Sequence, residues 1–345
     1  MTAAPGPSLH DNAKLAHELL RWSSDRSSAP SLAAGLDTLD WLASRKIDSL
    51  YLLATGKPAA RQSLYDKVWN LQRREAERVL AAIASAGLRP LVFKGAEMLS
   101  RFYASHGLNL LADIDVMLAR AEISRVKPVM FGLGYRQVIF DTELGAPVDR
   151  DIEDIAAIEG AHYELAPFSR LLPLSLNDDE LEEARALAPH PVWKIDGNEA
   201  FVAVDIDLHH AVATDLESAP FFERAVRSSF SGALTFCDAD HAWFMATRLY
   251  NEVAIHGKTS LRDFAYLAPL LAAGNVDWEI VLAAAHEYEL YPSLYYYLGF
   301  LNHLQPGAVP DNVLSALNPL GTERMRDWGW QLEKLLDILP AMPVG

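Results

Sequence analysis

The sequence predicts an α+β chain: a mixed sheet flanked by helices, with an N-terminal helical layer before it and a C-terminal helical bundle after it. Three observations carry this. Apolar stripes at helical spacing fill the first 87 residues. From Leu88 to Leu208 short apolar runs alternate with helical stretches and turn residues. From Pro220 onward only helical periodicity remains. The expected divisions are residues 1–87, 88–218 and 219–345. No fixed-period repeat is present, which excludes a solenoid.

Taken in order, residues 1–7 are small and Pro-rich and are expected to fray. Residues 8–22 read as a helix with Leu15, Leu19 and Trp22 on one face. After a polar linker at 24–30, two helices are expected at 31–44, with Ser31 as N-cap, and at 47–54. A Gly-Lys-Pro break at 56–58 precedes a long amphipathic helix over 61–86. Its stripe is Leu64, Val68, Leu71, Val79, Leu80 and Ile83, and Gly87 is its C-cap. Past the central motif, 122–131 reads as a helix containing Pro128, and 134–140 as a strand. Residues 141–158 carry six acids with Gly145 and Pro147, and read as an exposed insertion. A strand at 162–166 and an acidic surface helix at 177–187 follow. Strands at 192–195 and 201–208 are joined by Asp196-Gly197-Asn198, a hairpin signal. Helices at 241–255, 261–273, 278–288, 293–304, 312–316 and 322–339 complete the chain.

Composition sets bounds on function. The 345 residues suffice for two domains or one large one. Half are hydrophobic and 22% are charged, the balance of a folded globular chain. No apolar run is long enough to span a bilayer, and the N-terminus lacks a basic segment followed by an apolar one, so no membrane association is expected and the default location is cytoplasmic. The single cysteine, Cys237, excludes an internal disulfide and a multi-cysteine zinc site, and reads as a packing residue. The net charge of −16 works against non-specific nucleic-acid binding.

The chain is organised around residues 88–118, LRPLVFKGAEMLSRFYASHGLNLLADIDVML. Leu91, Val92 and Phe93 form a buried-strand run that ends at Lys94-Gly95, where glycine permits a sharp turn and close approach of a ligand. Residues 96–103 read as a helix, and 113–118 as a second strand. Side chains alternate along a strand, so Asp113 and Asp115 share one face while Ile114 and Val116 enter the core. Two carboxylates side by side repel unless a cation, a partner or water compensates. Hard Mg²⁺ suits such a pair. An isolated Asp-x-Asp is also an ordinary solvated strand end. Alternation likewise puts Asp205, Asp207 and His209 of FVAVDIDLHH on one face, and both aspartates are candidates for a third carboxylate.

This stretch resembles the nucleotidyltransferase superfamily, whose signature is a Gly-containing turn after one strand and an acid-apolar-acid pair on the next. More narrowly it is similar to a bacterial family of uncharacterised nucleotidyltransferases. The shared motifs are LVFKGAEML, ADIDVML, GLGYRQ and VDIDLHHAV, and the resemblance covers roughly residues 71–304. It departs at Asn109, where the family often carries an Arg ahead of the Asp pair.

The resemblance implies a nucleotidyltransferase-like sheet and NMP transfer from an NTP with release of pyrophosphate. It implies Mg²⁺ or Mn²⁺ as cofactor and selects Asp207 through the acid-apolar-His match. Asp113, Asp115 and Asp207 are then the catalytic and metal-holding residues, since two-metal sites stabilise both ends of an in-line displacement. Lys94 and Gly95 are candidates for the phosphates and His209 for orienting a carboxylate or phosphate. Lys94 also reads as a snorkelling strand-end lysine, and His209 as a core histidine. Arg101, Arg136 and Lys194 are further phosphate candidates; Arg248, Asn251, His256, Lys258 and Asp263 are candidates in the helical half. With no basic stripe, the expected acceptor is a small molecule, protein or peptide rather than nucleic acid. The alternatives are a non-catalytic nucleotide-binding adaptor of the same fold and a toxin acting on tRNA.

Overall fold

The computed structural model describes residues 9–26, 30–31, 35–57, 59–141, 146–187, 190–196, 199–214 and 216–318. Contacts group the chain into two compact units, Pro58–Cys237 and Met1–Lys57 together with Asp238–Gly345. This grouping differs from the linear division expected from sequence. Of the expected N-terminal helical layer, the first three helices share a unit with the C-terminal helices, and the long fourth helix lies in the unit that holds the sheet.

The sheet unit contains β1 (Leu91–Phe93), β2 (Asp113–Met117), β3 (Arg136–Asp141), β4 (Ala146–Asp149), β5 (Phe168–Ser175), β6 (Val192–Asp196), β7 (Glu199–His209), β8 (Ala211–Ala213), β9 (Leu216–Glu217), β10 (Val226–Arg227) and β11 (Leu234–Thr235). Among the described residues, all but β8 and β9 form one sheet in the order β10-β11-β1-β2-β7-β5-β3-β4, with β6 also on β7. The sheet is mixed: β2 runs antiparallel to β1 and parallel to β7, and β5 runs antiparallel to β7. The long β7 makes the topology possible. Its first half pairs β6 and its second half pairs β2, while β5 follows the other edge. Leu91, Val92, Phe93, Val202, Val204, Ile206 and Leu208 are fully buried, as apolar strand runs should be.

The helix Ala59–Ser85 packs against β5, β7 and the helices Ile123–Gly132 and Asp178–Ala186. It buries Leu64, Val68, Val79, Leu80 and Ile83 from the expected stripe. Gly87, at φ +71°, then ends the turn in the left-handed conformation that glycine adopts without Cβ strain. The helix Asp178–Ala186 starts with a capping box: Glu180 N–H donates to Asn177 Oδ1 (2.9 Å), and Asn177 N–H donates to Glu180 Oε2 (2.8 Å).

Three expectations are corrected. Residues 162–166 do not form a strand; Glu164 alone bridges His209, and the strand is β5. Pro173 sits inside β5 because beyond Ser169 that strand has no partner on its β3 side among the described residues, so the missing N–H falls on an open edge. Within 141–158, β4 pairs with β3 and a helix spans Ile152–Ala161. Its acids Glu153 and Asp154 lie in the first helical turn, where the helix dipole favours them. The second helix is Leu36–Ser44, preceded by Gly35 without a side-chain cap, so Ser31 is not its N-cap. The expected hairpin is present as β6 and β7, paired from Asp196 to Glu199, while Gly197 and Asn198 lie outside the described residues. So do residues 1–7 and the helix expected at 322–339.

In the helical unit Leu9–Ser24 packs on Arg262–Ala272, and Asp238–His256 packs on Arg262–Ala272, Trp278–Glu287 and Tyr291–Leu304. Its core is aromatic. Phe264 stacks on Tyr297 at 5.3 Å and meets Phe300 edge-on at 4.8 Å, as expected of apolar rings packed in a bundle. Among the described residues, no helix is long and apolar enough to cross a membrane.

Candidate active site

The parallel pairing of β2 and β7 sets Asp113 opposite Asp205, Asp115 opposite Asp207 and Met117 opposite His209. Alternation turns Ile114, Val116, Ile206 and Leu208 into the core and leaves the acids on the other face. One carboxylate oxygen from each of Asp113, Asp115 and Asp207 lies within 4.8 Å of the others. Asp115 is buried at 5% exposure; Asp113 and Asp207 are partly exposed. The triad therefore opens to solvent on one side.

Lys94 and His209 meet on Asp115. The Lys94 Nζ donates to Asp115 Oδ1 at 2.6 Å, and His209 Nε2 lies 3.0 Å from the same oxygen. His209 is buried, with its ring edge-on to Phe93 (5.2 Å) and stacked on Tyr163 (5.7 Å). The tight turn after β1 differs in detail from expectation. The unusual backbone conformation falls on Lys94, at φ 59° and ψ −138°, and Gly95 is the first residue of the helix Gly95–Phe102. A side chain held there stores on the order of 1–3 kcal/mol of strain, which surrounding packing must offset. Glu97, in the first turn of that helix, helps to do so. It is buried and accepts from Ser228 Oγ (2.5 Å), Ser229 N–H (3.1 Å) and Ser229 Oγ (3.1 Å). Burial nonetheless raises its carboxyl above the ordinary range.

The loop that delivers β2 is fastened to the long helix Ala59–Ser85. Gln62 donates to Gly107 O (3.1 Å), Trp69 Nε1 to Ala104 O (2.8 Å), Asn70 to Ser105 O (2.9 Å) and Gln72 to Leu111 O (2.8 Å). Gly107 N–H donates to Asp66 Oδ1 at 3.0 Å. A Cβ at Gly107 would stand 2.6 Å from Tyr65 O, so only glycine lets the loop lie this close. Asn109 adopts φ 56°, which asparagine tolerates well, and its Oδ1 accepts the next N–H, of Leu110, at 2.8 Å. At this position the side chain organises its own loop.

The electrostatics are dominated by repulsion. Burial, and then the charges of Asp113, Asp115, Glu164 and Asp205, push the Asp207 carboxyl far above the usual range, to about 9. Glu164 and His190 are site residues that sequence reasoning missed. Glu164 Oε2 lies 3.7 Å from His209 Nδ1, and His190 Nε2 lies 2.8 Å from Asp205 Oδ2. Both lie outside the two Asp-bearing motifs, and the acid within the strand expected at 162–166 was the signal the sequence offered. Asp205 is thus engaged by His190 and is not one of the three clustered carboxylates.

Other candidates have these contacts among the described residues. Arg136 and Asp149, both exposed, pair across β3 and β4, and Arg101 lies over the Phe102 ring. The Lys194 side chain falls outside the described residues. In the helical unit Arg248 pairs with Glu252 (3.5 Å) and Asp263 (3.7 Å), and Lys258 with Glu252.

A family model described as "Uncharacterised nucleotidyltransferase" matches residues 16–306. The chain belongs to this nucleotidyltransferase family. A comparison with curated proteins and one with solved structures each found no match. For a nucleotidyltransferase the donor set is chemically apt. Three hard carboxylate oxygens converge in a partly open site, and their mutual repulsion is the kind a divalent cation relieves. The residues present therefore fit a divalent metal.

Proposed function

We propose that this chain is a metal-dependent nucleotidyltransferase that moves an NMP from an NTP to a small-molecule or protein/peptide acceptor, releasing pyrophosphate. The observation that carries the reading is the convergence of Asp113, Asp115 and Asp207 within 4.8 Å in a member of this family. These three carboxylates would hold Mg²⁺ or Mn²⁺. The bound cation would neutralise charge developing on the transferred phosphoryl group and acidify the acceptor hydroxyl.

The protein's own groups have distinct tasks in this reading. Asp207 takes the proton that the acceptor hydroxyl loses. His209, buried and 3.0 Å from Asp115 Oδ1, fixes the orientation of that carboxylate. The N–H groups at the start of Gly95–Phe102 and the Lys94 ammonium serve the β- and γ-phosphates, because unpaired N–H groups at a helix N-terminus attract anions. The reading is tested by incubating the protein with each α-labelled NTP and Mg²⁺ or Mn²⁺, following pyrophosphate release and labelled product. Metal-dependent release with at least one NTP, lost in Asp113→Asn and Asp115→Asn, is expected. Undiminished release in both variants would sink it.

A further inference from the structure

Asp115 Oδ1 is doubly engaged: Lys94 Nζ at 2.6 Å and His209 Nε2 at 3.0 Å. The Lys94 side chain is 13% exposed, and its ammonium lies 4.9 Å from the centre of the Phe93 ring. One of the three carboxylates that would hold a metal is therefore already neutralised by an ammonium from the protein itself. An ammonium and a divalent cation at contact distance from the same carboxylate repel strongly where water is scarce. Metal entry must then push Lys94 aside or compete with it.

We infer that Lys94 is an exchangeable counter-ion, which holds Asp115 while the site lacks metal and transfers to the triphosphate when metal and nucleotide enter. The inference rests on the nucleotidyl-transfer reading above. Lys94 directly precedes the helix Gly95–Phe102, so the helix N-terminus that suits phosphate oxygens lies next to its own backbone. On this inference the exchange is a rotation about the Lys94 side-chain bonds. The backbone at φ 59° need not change. The consequence is energetic coupling. Metal alone must displace Lys94 with no new partner for it, whereas metal with nucleotide supplies one. Such coupling is reciprocal, so metal strengthens nucleotide binding by the same factor.

The test is Mn²⁺ titration, read by the loss of the free-ion electron paramagnetic resonance signal. It compares wild type with Lys94→Met, with and without the α,β-methylene analogues of ATP, GTP, CTP and UTP. Methionine keeps an unbranched stem at the same backbone position. Lys94→Gln serves as a second variant, and circular dichroism checks that both fold. Lys94→Met should bind Mn²⁺ alone more tightly than wild type, by about tenfold. The nucleotide should then increase Mn²⁺ affinity by a factor about tenfold smaller than in wild type. Equal Mn²⁺ affinity of variant and wild type without nucleotide would overturn the inference. So would an unchanged nucleotide-induced gain, which would mark Lys94 as a static charge. Both of these leave the metal-site reading standing. Failure of every protein to bind Mn²⁺ under any condition would overturn that reading, and this inference with it.

Discussion

Asp207 is the residue at which the site's charge problem is most acute. Its carboxyl ordinarily titrates at 3.8, and burial together with Asp113 and Asp115 raises it to about 9 in the native state. Between those values the native state keeps a proton that the unfolded chain has released. The metal-free protein therefore loses stability as pH rises through this window. Asp207→Asn removes the ionisable group, so in the presence of chelator it should be more stable than wild type at about pH 8, by about 1 kcal/mol or more, with a smaller gain at about pH 6. Urea unfolding at both pH values measures this, and a variant less stable than wild type at the higher pH would show that no such repulsion exists. Much at this scale could be read in the sequence. The period of two puts Asp113 with Asp115, and Asp205 with Asp207 and His209, on one face each. What periodicity cannot state is which face meets which. The register that sets Asp115 beside Asp207, and the arrival of Glu164 and His190, are tertiary facts.

The element that matters most to the site is the long helix Ala59–Ser85, because Gln62, Asp66, Trp69, Asn70 and Gln72 hold the loop that leads into β2. Gly107 is the point of closest approach. Gly107→Ala would force a methyl to within 2.6 Å of Tyr65 O, a backbone atom that cannot move without bending the helix. A cost of about 1–3 kcal/mol is expected, with weaker Mn²⁺ binding from displacement of Asp113. Urea midpoints and a Mn²⁺ titration check both parts; unchanged values would mean the loop relaxes freely. The helix itself, β1, β2 and β7 were legible because each is strongly periodic or strongly apolar. β5 was hidden by Pro173, which reads as a breaker unless the open edge beside it is known. β4 was hidden by the acids and breakers around it, which match the exposure of the helix Ile152–Ala161 and say nothing of the pairing of β4 with β3.

At the scale of the molecule, amphipathic stripes identify which helix faces are buried but not against which partner. That is why the packing of Leu9–Ser24 on Arg262–Ala272 could not be read in advance. Net charge is legible at this scale, and −16 bears on the acceptor. Affinity for a polyanion comes largely from neutralising phosphates, and Arg136, Arg248 and Lys258 are already paired with acids. Filter binding of bulk tRNA and of duplex DNA at low salt should show only weak retention. Tight, steeply salt-dependent binding of either would instead favour a nucleic-acid acceptor.

The central claim is that Asp113, Asp115 and Asp207, and not Asp205, hold the metal on which nucleotidyl transfer depends. Mn²⁺ binding to wild type and to the four single Asp→Asn variants tests it most directly, since no acceptor needs to be known. Binding should weaken by about a hundredfold in Asp113→Asn, Asp115→Asn and Asp207→Asn, and be largely retained in Asp205→Asn. Loss of Mn²⁺ in Asp205→Asn with retention in Asp207→Asn would contradict the account, as would binding indifferent to all four.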